Sequence, residues 1–403
     1  MVKLRVVVLT VVLAPIPALA LLPQPGQQKP LEPFKGITTD GTVQTGLFPI
    51  RASGVTTRPV RDAAVKFLAG LTPEQRTSAT FKADDEQWRQ WNNVHRAARQ
   101  GVSFKEMSEE QRQLAYGLLK ASLSAKGLEN ARNIMRLNET IAEMTKRVDE
   151  YGEFLYWMAI MGEPSEKQPW GWQLEGHHLI VNYFVLGDQV VMTPAFWGSE
   201  PVIAESGKYA GTSVLQLEQT MALSFMRGLS PEQRTKATIS AEKVRNDAQT
   251  QAFRDNVVMP YAGIRAVELP APQRVLLERL IAVYVGNMDD GHAKIKMDEV
   301  RKHLDQTWFA WIGASEADSV FYYRIHSPVI LIEFDHQTPV ALPGPRVPGR
   351  IHIHSVVRTP NGNDYGKDLL RQHYEKTAAD PFHVHAHGHL FPSDQRKDTS
   401  RQR

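Results

Sequence analysis

The chain has 403 residues and no cysteine, so disulfides, thiolate metal sites and a cysteine nucleophile are excluded together. Its 47 basic and 44 acidic side chains nearly cancel, to a formal +3, and no run of Lys and Arg interleaves with aromatics, which points away from nucleic acid as a partner. The length suffices for one large core or two domains of ordinary size.

Met1 to Arg5 carries Lys3 and Arg5, Val6 to Ile16 is almost wholly apolar, and Ala18-Leu19-Ala20 supplies small residues where a signal peptidase reads. Residues 1–20 are therefore expected to be a secretory signal peptide, and the mature protein to be secreted or periplasmic and free of the membrane. The apolar run, broken by Pro15 and Pro17, is short of the about 20 residues that span a bilayer. Residues 21–55, with several Pro and Gly, read as an extended leader.

An internal repeat follows. Phe67-Leu68-Ala69-Gly70-Leu71-Thr72-Pro73-Glu74-Gln75-Arg76 returns as Phe225-Met226-Arg227-Gly228-Leu229-Ser230-Pro231-Glu232-Gln233-Arg234. Gly101-Val102 with Gln111-Arg112 then matches Gly263-Ile264 with Gln273-Arg274, and Trp157, Gly162, Trp170 and Trp172 match Trp308, Gly313, Phe321 and Tyr323. Three blocks in one order predict a tandem duplication, with repeats over 56–205 and 206–392 and a disordered tail over 393–403.

Each copy reads as helices followed by strands. Thr72-Pro73-Glu74 and Ser230-Pro231-Glu232 place a hydroxyl at the N-cap, Pro in the first turn and an acid after it, which starts a helix. Gln111 to Ser124 and Ala131 to Tyr156 show apolar residues at helical spacing. Beyond Trp170 the pattern alternates: Trp172 to Glu175, His178 to Leu186 and Gln189 to Thr193 read as strands, as do Phe321 to Ile325, Val329 to Phe334 and Arg350 to Val357. The expected fold class is α+β, each unit having several helices followed by an antiparallel sheet or hairpin.

Of the 14 histidines, only His95 precedes residue 177. Imidazole is the commonest metal ligand and the usual acid or base near neutral pH. Glu175-Gly176-His177-His178 sits where one strand turns into the next, and the repeat sets His326 opposite Glu175. Neighbouring strand residues point to opposite faces, so one of His177 and His178 is expected to face a given site. In His352-Ile353-His354 an alternating strand points both rings to one face, about 7 Å apart at the backbone. Glu333-Phe334-Asp335 does the same with carboxylates.

Two His with a carboxylate or a third His suit Zn²⁺, Fe²⁺ or Mn²⁺, with copper a further option. The loop Arg358 to Gly366 offers Arg358, Asn363, Asp364 and Tyr365 to a polar substrate. Trp170, Trp172, Phe196 and Trp197 are candidates for lining a cleft. His383, His385, His387 and His389 form a further tract.

The run Trp172 to His178, with Tyr323 to Pro328, Glu333 to Asp335, His352 to His354, Arg358 to Pro360, Asn363 to Gly366 and His373-Tyr374, resembles the DUF3500 family, a domain of unknown function in bacteria and some eukaryotes. The resemblance implies that these motifs belong to one set, and makes His373 a further candidate ligand.

The expected activity is that of a metal-dependent enzyme, a hydrolase before an oxidoreductase, acting on a small-molecule or polar polymeric substrate. In that reading His352, His354 and one of His178, His326 or Glu333 hold the metal. Glu175 or Asp364 is the general base, Arg358 orients the substrate, and His177, Trp172, Asn363 and Tyr365 line its site. A non-catalytic ligand-binding protein with a structural His cluster is the alternative.

Overall fold

The computed structural model describes residues 32–378. The expected signal peptide, the tail from residue 393 and the tract His383 to His389 lie outside them.

Capping decides where several helices begin. In chain order the elements are α1 (Arg58–Gly70), α2 (Pro73–Ala79), β1 (Thr80–Phe81), β2 (Val102–Ser103), α3 (Glu109–Ser122), α4 (Ala125–Thr145), β3 (Tyr156–Met161), β4 (Trp170–Gly176), β5 (Leu179–Leu186), β6 (Gln189–Val191) and β7 (Ala195–Ser199). There follow α5 (Gln216–Arg227), α6 (Pro231–Ala237), β8 (Thr238–Ser240), β9 (Ile264–Arg265), α7 (Ala271–Val285), α8 (Asp290–Lys302), β10 (Trp308–Gly313), β11 (Phe321–His326), β12 (Leu331–His336), β13 (Ile353–Arg358) and α9 (Lys367–Ala378).

The Thr72 hydroxyl accepts from Gln75 N at 3.2 Å, and the Gln75 side chain accepts from Thr72 N at 3.0 Å. The same reciprocal box recurs at Ser230 and Gln233, 3.2 and 2.8 Å, and at Ser108 and Gln111. Each such cap is worth about 1 kcal/mol. The helix expected over Ala131 to Tyr156 instead runs from Ala125 to Thr145, where Lys146 turns left-handed at φ 60. Tyr156 already opens β3.

The strands join in one mixed sheet of thirteen, in the order β1-β3-β4-β5-β7-β13-β12-β11-β10-β8, with β2 on β3, β9 on β10 and β6 on β5. The expectation of an antiparallel sheet holds for most pairs, but β1 runs parallel to β3 and β8 parallel to β10. The seam between the sequence halves is β7 against β13, antiparallel, with Ser355 opposite Trp197.

Alternation along the strands divides the sheet into two chemically different faces. Trp170, Trp172, Leu174, Val181, Tyr183, Tyr323, Ile332, Phe334 and Ile353 share one apolar core with Phe67 of α1, Leu118 of α3, Ile134 of α4, Phe225 of α5 and Leu280 of α7. On the other face Gln173, Glu175, Asn182, Glu333, Asp335, His354 and Arg358 are buried under irregular chain, a 3₁₀ turn at Glu86–Arg89 and α9, whose Leu369 and Leu370 pack with Ile180, Phe184, Phe196 and Val356. Trp88 O takes Gln173 Nε2, Asn92 N donates to Glu175, Gln249 N and Thr250 N donate to Glu333, and Asp247 N donates to Asp335. Backbone groups of the two covering segments thus satisfy the buried side chains, as burial of polar groups demands.

The segment expected to be an extended leader carries no helix or strand over residues 33–55, and it is seated on the fold, with Ile37 and Phe48 buried. Among the described residues no helix is long and apolar enough to cross a membrane.

Candidate metal centre

The polar face carries the site. His178 follows β4 at the turn into β5, with φ 63, a left-handed conformation that costs a non-glycine residue about 1–2 kcal/mol. Two backbone bonds hold it: His178 N donates to Asn93 O at 3.2 Å, and Gly198 N donates to His178 O at 2.8 Å. Gly198 is in turn the register partner of His354 on β13. His352 lies one residue before β13 and shares the side of His354. The three rings therefore meet across the end of β7, over a residue with no side chain.

His178 Nε2 lies 3.1 Å from His352 Nε2, and His352 Nε2 lies 2.9 Å from His354 Nε2. A ligand atom from each of the three falls within 4.8 Å of the others. The residues are 5%, 3% and 8% exposed for His178, His352 and His354.

His352 Nδ1 faces Thr338 O at 2.9 Å and Glu200 Oε2 at 3.3 Å, both acceptors, so Nδ1 bears the hydrogen and Nε2 of the neutral ring a lone pair. His354 Nδ1 faces Gln251 Oε1 at 2.9 Å, an oxygen that also accepts from Asn93 Nδ2 at 3.4 Å. Its Nε2 is a lone pair too. One of the two short contacts is relieved if His178 donates, but the one between His352 and His354 sets lone pair against lone pair. A proton there is disfavoured: burial holds all three rings below the ordinary imidazole range, and their mutual repulsion pushes His178 and His354 further down.

A cation fits. About 2.1 Å from each nitrogen, it would set neighbouring ligands about 3.0 Å apart at a right angle and about 3.4 Å apart at the tetrahedral angle. The observed 2.9 and 3.1 Å lie at the short end. The outer hydrogen bonds to Thr338, Glu200 and Gln251 are those that orient ligand imidazoles in metal sites.

Beside the cluster, His177 stacks on His178 at 3.9 Å and its Nδ1 meets Asn138 Oδ1 at 2.8 Å. His95 and Tyr151 pack against His177, at 5.6 and 5.3 Å between ring centres. Glu175 accepts from Asn92 N at 2.9 Å and stands 3.4 Å from Arg99 Nε. Burial pushes its carboxyl up to about 7 against the pull of Arg99.

Other residues expected at the site lie elsewhere. The strands β5, β7, β13 and β12 separate β4, with Glu175, from β11, with His326, so these two do not meet. His326 packs on Tyr261, ring centres 4.7 Å apart. Glu333 is held by Gln249 N, Thr250 and the Tyr322 hydroxyl, and His373 stands on α9. Trp172 is on the opposite, helix-covered face, its indole N–H on Ser122 Oγ.

Arg358 is wholly buried: Nε donates to Asp364 at 2.8 Å, Nη2 to Asp255 at 2.6 Å and Nη1 to Thr250 O at 3.3 Å. Asp255 also takes Arg89 Nε and the Tyr365 hydroxyl, which itself accepts from Trp91. Asn363 Oδ1 caps Leu369 N at the start of α9. Arg358, Asp364, Asp255, Arg89, Tyr365 and Trp91 thus bond chiefly to one another, in a buried network that Asn363 does not join. Glu200, Gln251 and Asn93 support the cluster and were not anticipated; they come from irregular segments, where no periodicity marks them.

Fold and site together define an α+β protein with a buried three-histidine centre on one continuous sheet. The family model described as "Protein of unknown function (DUF3500)" matches residues 53–367, most of the chain, and the protein belongs to that family. No curated protein and no solved structure matches it.

Proposed function

We propose that the chain is an exported metal-dependent enzyme, a hydrolase before an oxidoreductase, whose centre is held by His178, His352 and His354. The observation that carries this reading is the facing pair of lone pairs on His352 and His354 Nε2 at 2.9 Å, which a divalent cation resolves and a hydrogen bond does not. When bound, such an ion acts as a Lewis acid toward water or a polar substrate, and three neutral ligands leave its charge undiminished. Zn²⁺, Fe²⁺ and Mn²⁺ suit imidazole with open positions, and copper is a further option. Export rests on the amino-terminal pattern and places the site in the secreted or periplasmic protein.

Near-complete burial of the three rings favours a second reading, a structural ion in a ligand-binding protein. An exchangeable coordination position separates the two.

A tandem duplication is part of the proposal. The sheet order reads alike from both edges to the seam. In addition, Arg99 lies over Trp157 at 5.2 Å and beside Glu175, the register partner of Trp157. Tyr261 lies over Trp308 at 5.9 Å and beside His326, the register partner of Trp308. An ion pair in one half and an aromatic pair in the other occupy matching places.

The test is metal analysis of the mature protein carrying His383→Ala, His385→Ala, His387→Ala and His389→Ala, beside the same protein with His352→Ala and His354→Ala. One equivalent of metal, lost with the two ligands, is expected. No metal in either, with both folded, would refute the reading.

A further inference from the structure

The segment Gln337 to Arg350, between β12 and β13, has neither helix nor strand and contains Pro339, Pro343, Pro345 and Pro348. Its tip, Pro343 to Val347, is exposed. Most ties of its base end on His352 or Glu200; the others run from Thr338 N to Asn246, from Gln337 Nε2 to Asp335 and from Arg350 to Ser319 O. Glu200 Oε1 accepts from Val340, Ala341 and Leu342 N at 3.1, 3.0 and 2.8 Å, and its Oε2 accepts again from Val340 N at 2.9 Å. The same Oε2 stands 3.3 Å from His352 Nδ1. Thr338 O takes that Nδ1 as well, Gln337 N donates to His352 O at 2.8 Å, and His352 N donates to Gly349 O at 3.3 Å.

We propose that residues 337–350 form a strap whose latching and metal binding are one linked equilibrium, joined through Glu200 and His352. The proposal rests on the metal reading of the three-histidine centre. The ring of His352 is the joint: its Nε2 looks into the centre while its Nδ1 is shared by the strap carbonyl and by the carboxylate that grips the strap amides. A cation on Nε2 fixes the ring and draws electron density from it, which strengthens the Nδ1–H bonds to Thr338 and Glu200. Release of the strap removes the Thr338 acceptor and strips Glu200 of the Val340, Ala341 and Leu342 amides that fix its carboxylate, which lets the ring turn out of register with His178 and His354. Glu200, which meets the His352 ring at Nδ1 and not at the ligand nitrogen Nε2, is thus a positioning residue for the metal and the anchor of the strap.

Linkage fixes the size of the effect. If the strap opens only after the ion leaves, zinc at about a hundred times its Kd makes opening about a hundredfold rarer. Amide hydrogen exchange at Val340, Ala341 and Leu342 reads this directly in the native chain, with no substitution, and tryptic cleavage after Arg350, at the half-buried base, reads it independently.

Exchange slowed about a hundredfold by zinc is expected. In Glu200→Gln the new amide N–H₂ would meet Val340 N–H and His352 Nδ1–H, donor against donor, so zinc should protect these amides less than about threefold. If one equivalent of zinc binds, is lost with His352→Ala and leaves exchange and cleavage unchanged, the strap is overturned while the metal centre stands. If none of zinc, manganese(II), iron(II) or copper(II) is taken up, the metal reading falls and the strap with it.

Discussion

A methyl group at Gly198 reaches the histidine cluster without altering any ligand. A Cβ there would lie 2.8 Å from Ile353 O, 3.1 Å from Phe196 Cε1 and 3.3 Å from His178 Cδ2. The glycine is not in the left-handed region, so the cost of Gly198→Ala is spatial. The imidazole edge has a few tenths of an ångström to give; the Ile353 carbonyl must move by about 0.5 Å, and it sits between His352 and His354 on the same backbone. Overpacking of this kind costs about 1–3 kcal/mol, which urea unfolding of the metal-free protein will measure. Because the displacement falls on all three ligands, zinc affinity should drop by about tenfold to a hundredfold, read by competition with a chromophoric chelator. Lowered stability with unchanged affinity would refute the placement of Gly198 beneath the centre.

Acid should release the metal late: burial and mutual repulsion hold the His178 and His354 rings well below the ordinary imidazole value, so protons compete weakly. Metal content after dialysis at descending pH should halve below about 6.5, and release centred there would contradict the buried cluster. Arg358→Ala leaves Asp255 and Asp364 buried without their shared guanidinium and should cost about 3–5 kcal/mol in urea unfolding; a loss under about 1 kcal/mol would exclude the buried network. The Glu175 carboxyl, at about 7 in the fold and near 4.5 ordinarily, binds its proton more tightly when folded. Its contribution is therefore whole below the ordinary value and lost as pH rises through about 7, so Glu175→Gln should flatten the fall in stability between about pH 5 and 8. Parallel pH curves for the two proteins would exclude Glu175 as the source.

The parts of this structure that obey a local period are legible in the residues. Thr72-Pro73-Glu74-Gln75 specifies a capped helix start whatever packs on it, and His352-Ile353-His354 puts two rings on one side wherever the strand lies. His178 was readable as a candidate beside His177, but the choice between them turned on a left-handed residue that alternation does not foresee. What escaped lies on covering segments: Glu200, Gln251 and Asn93 acquire their roles from contacts between parts of the chain far apart in order. Arg358 and Asp364 show the same limit from the other side. Their loop has the composition of a binding loop, yet Asp255, more than a hundred residues earlier, closes them into the interior.

The seam has a consequence for the order in which the molecule can be made. β7 is finished at Ser199, but the strand that pairs with its free side, β13, begins only at Ile353. Until then β7 offers Ala195 to Ser199 as an open sheet edge, the kind of surface on which chains adhere to one another. One late strand therefore seals the edge and delivers His354, with His352 just ahead of it, so that a chain cut short before residue 352 loses its closure and two of three ligands at a stroke.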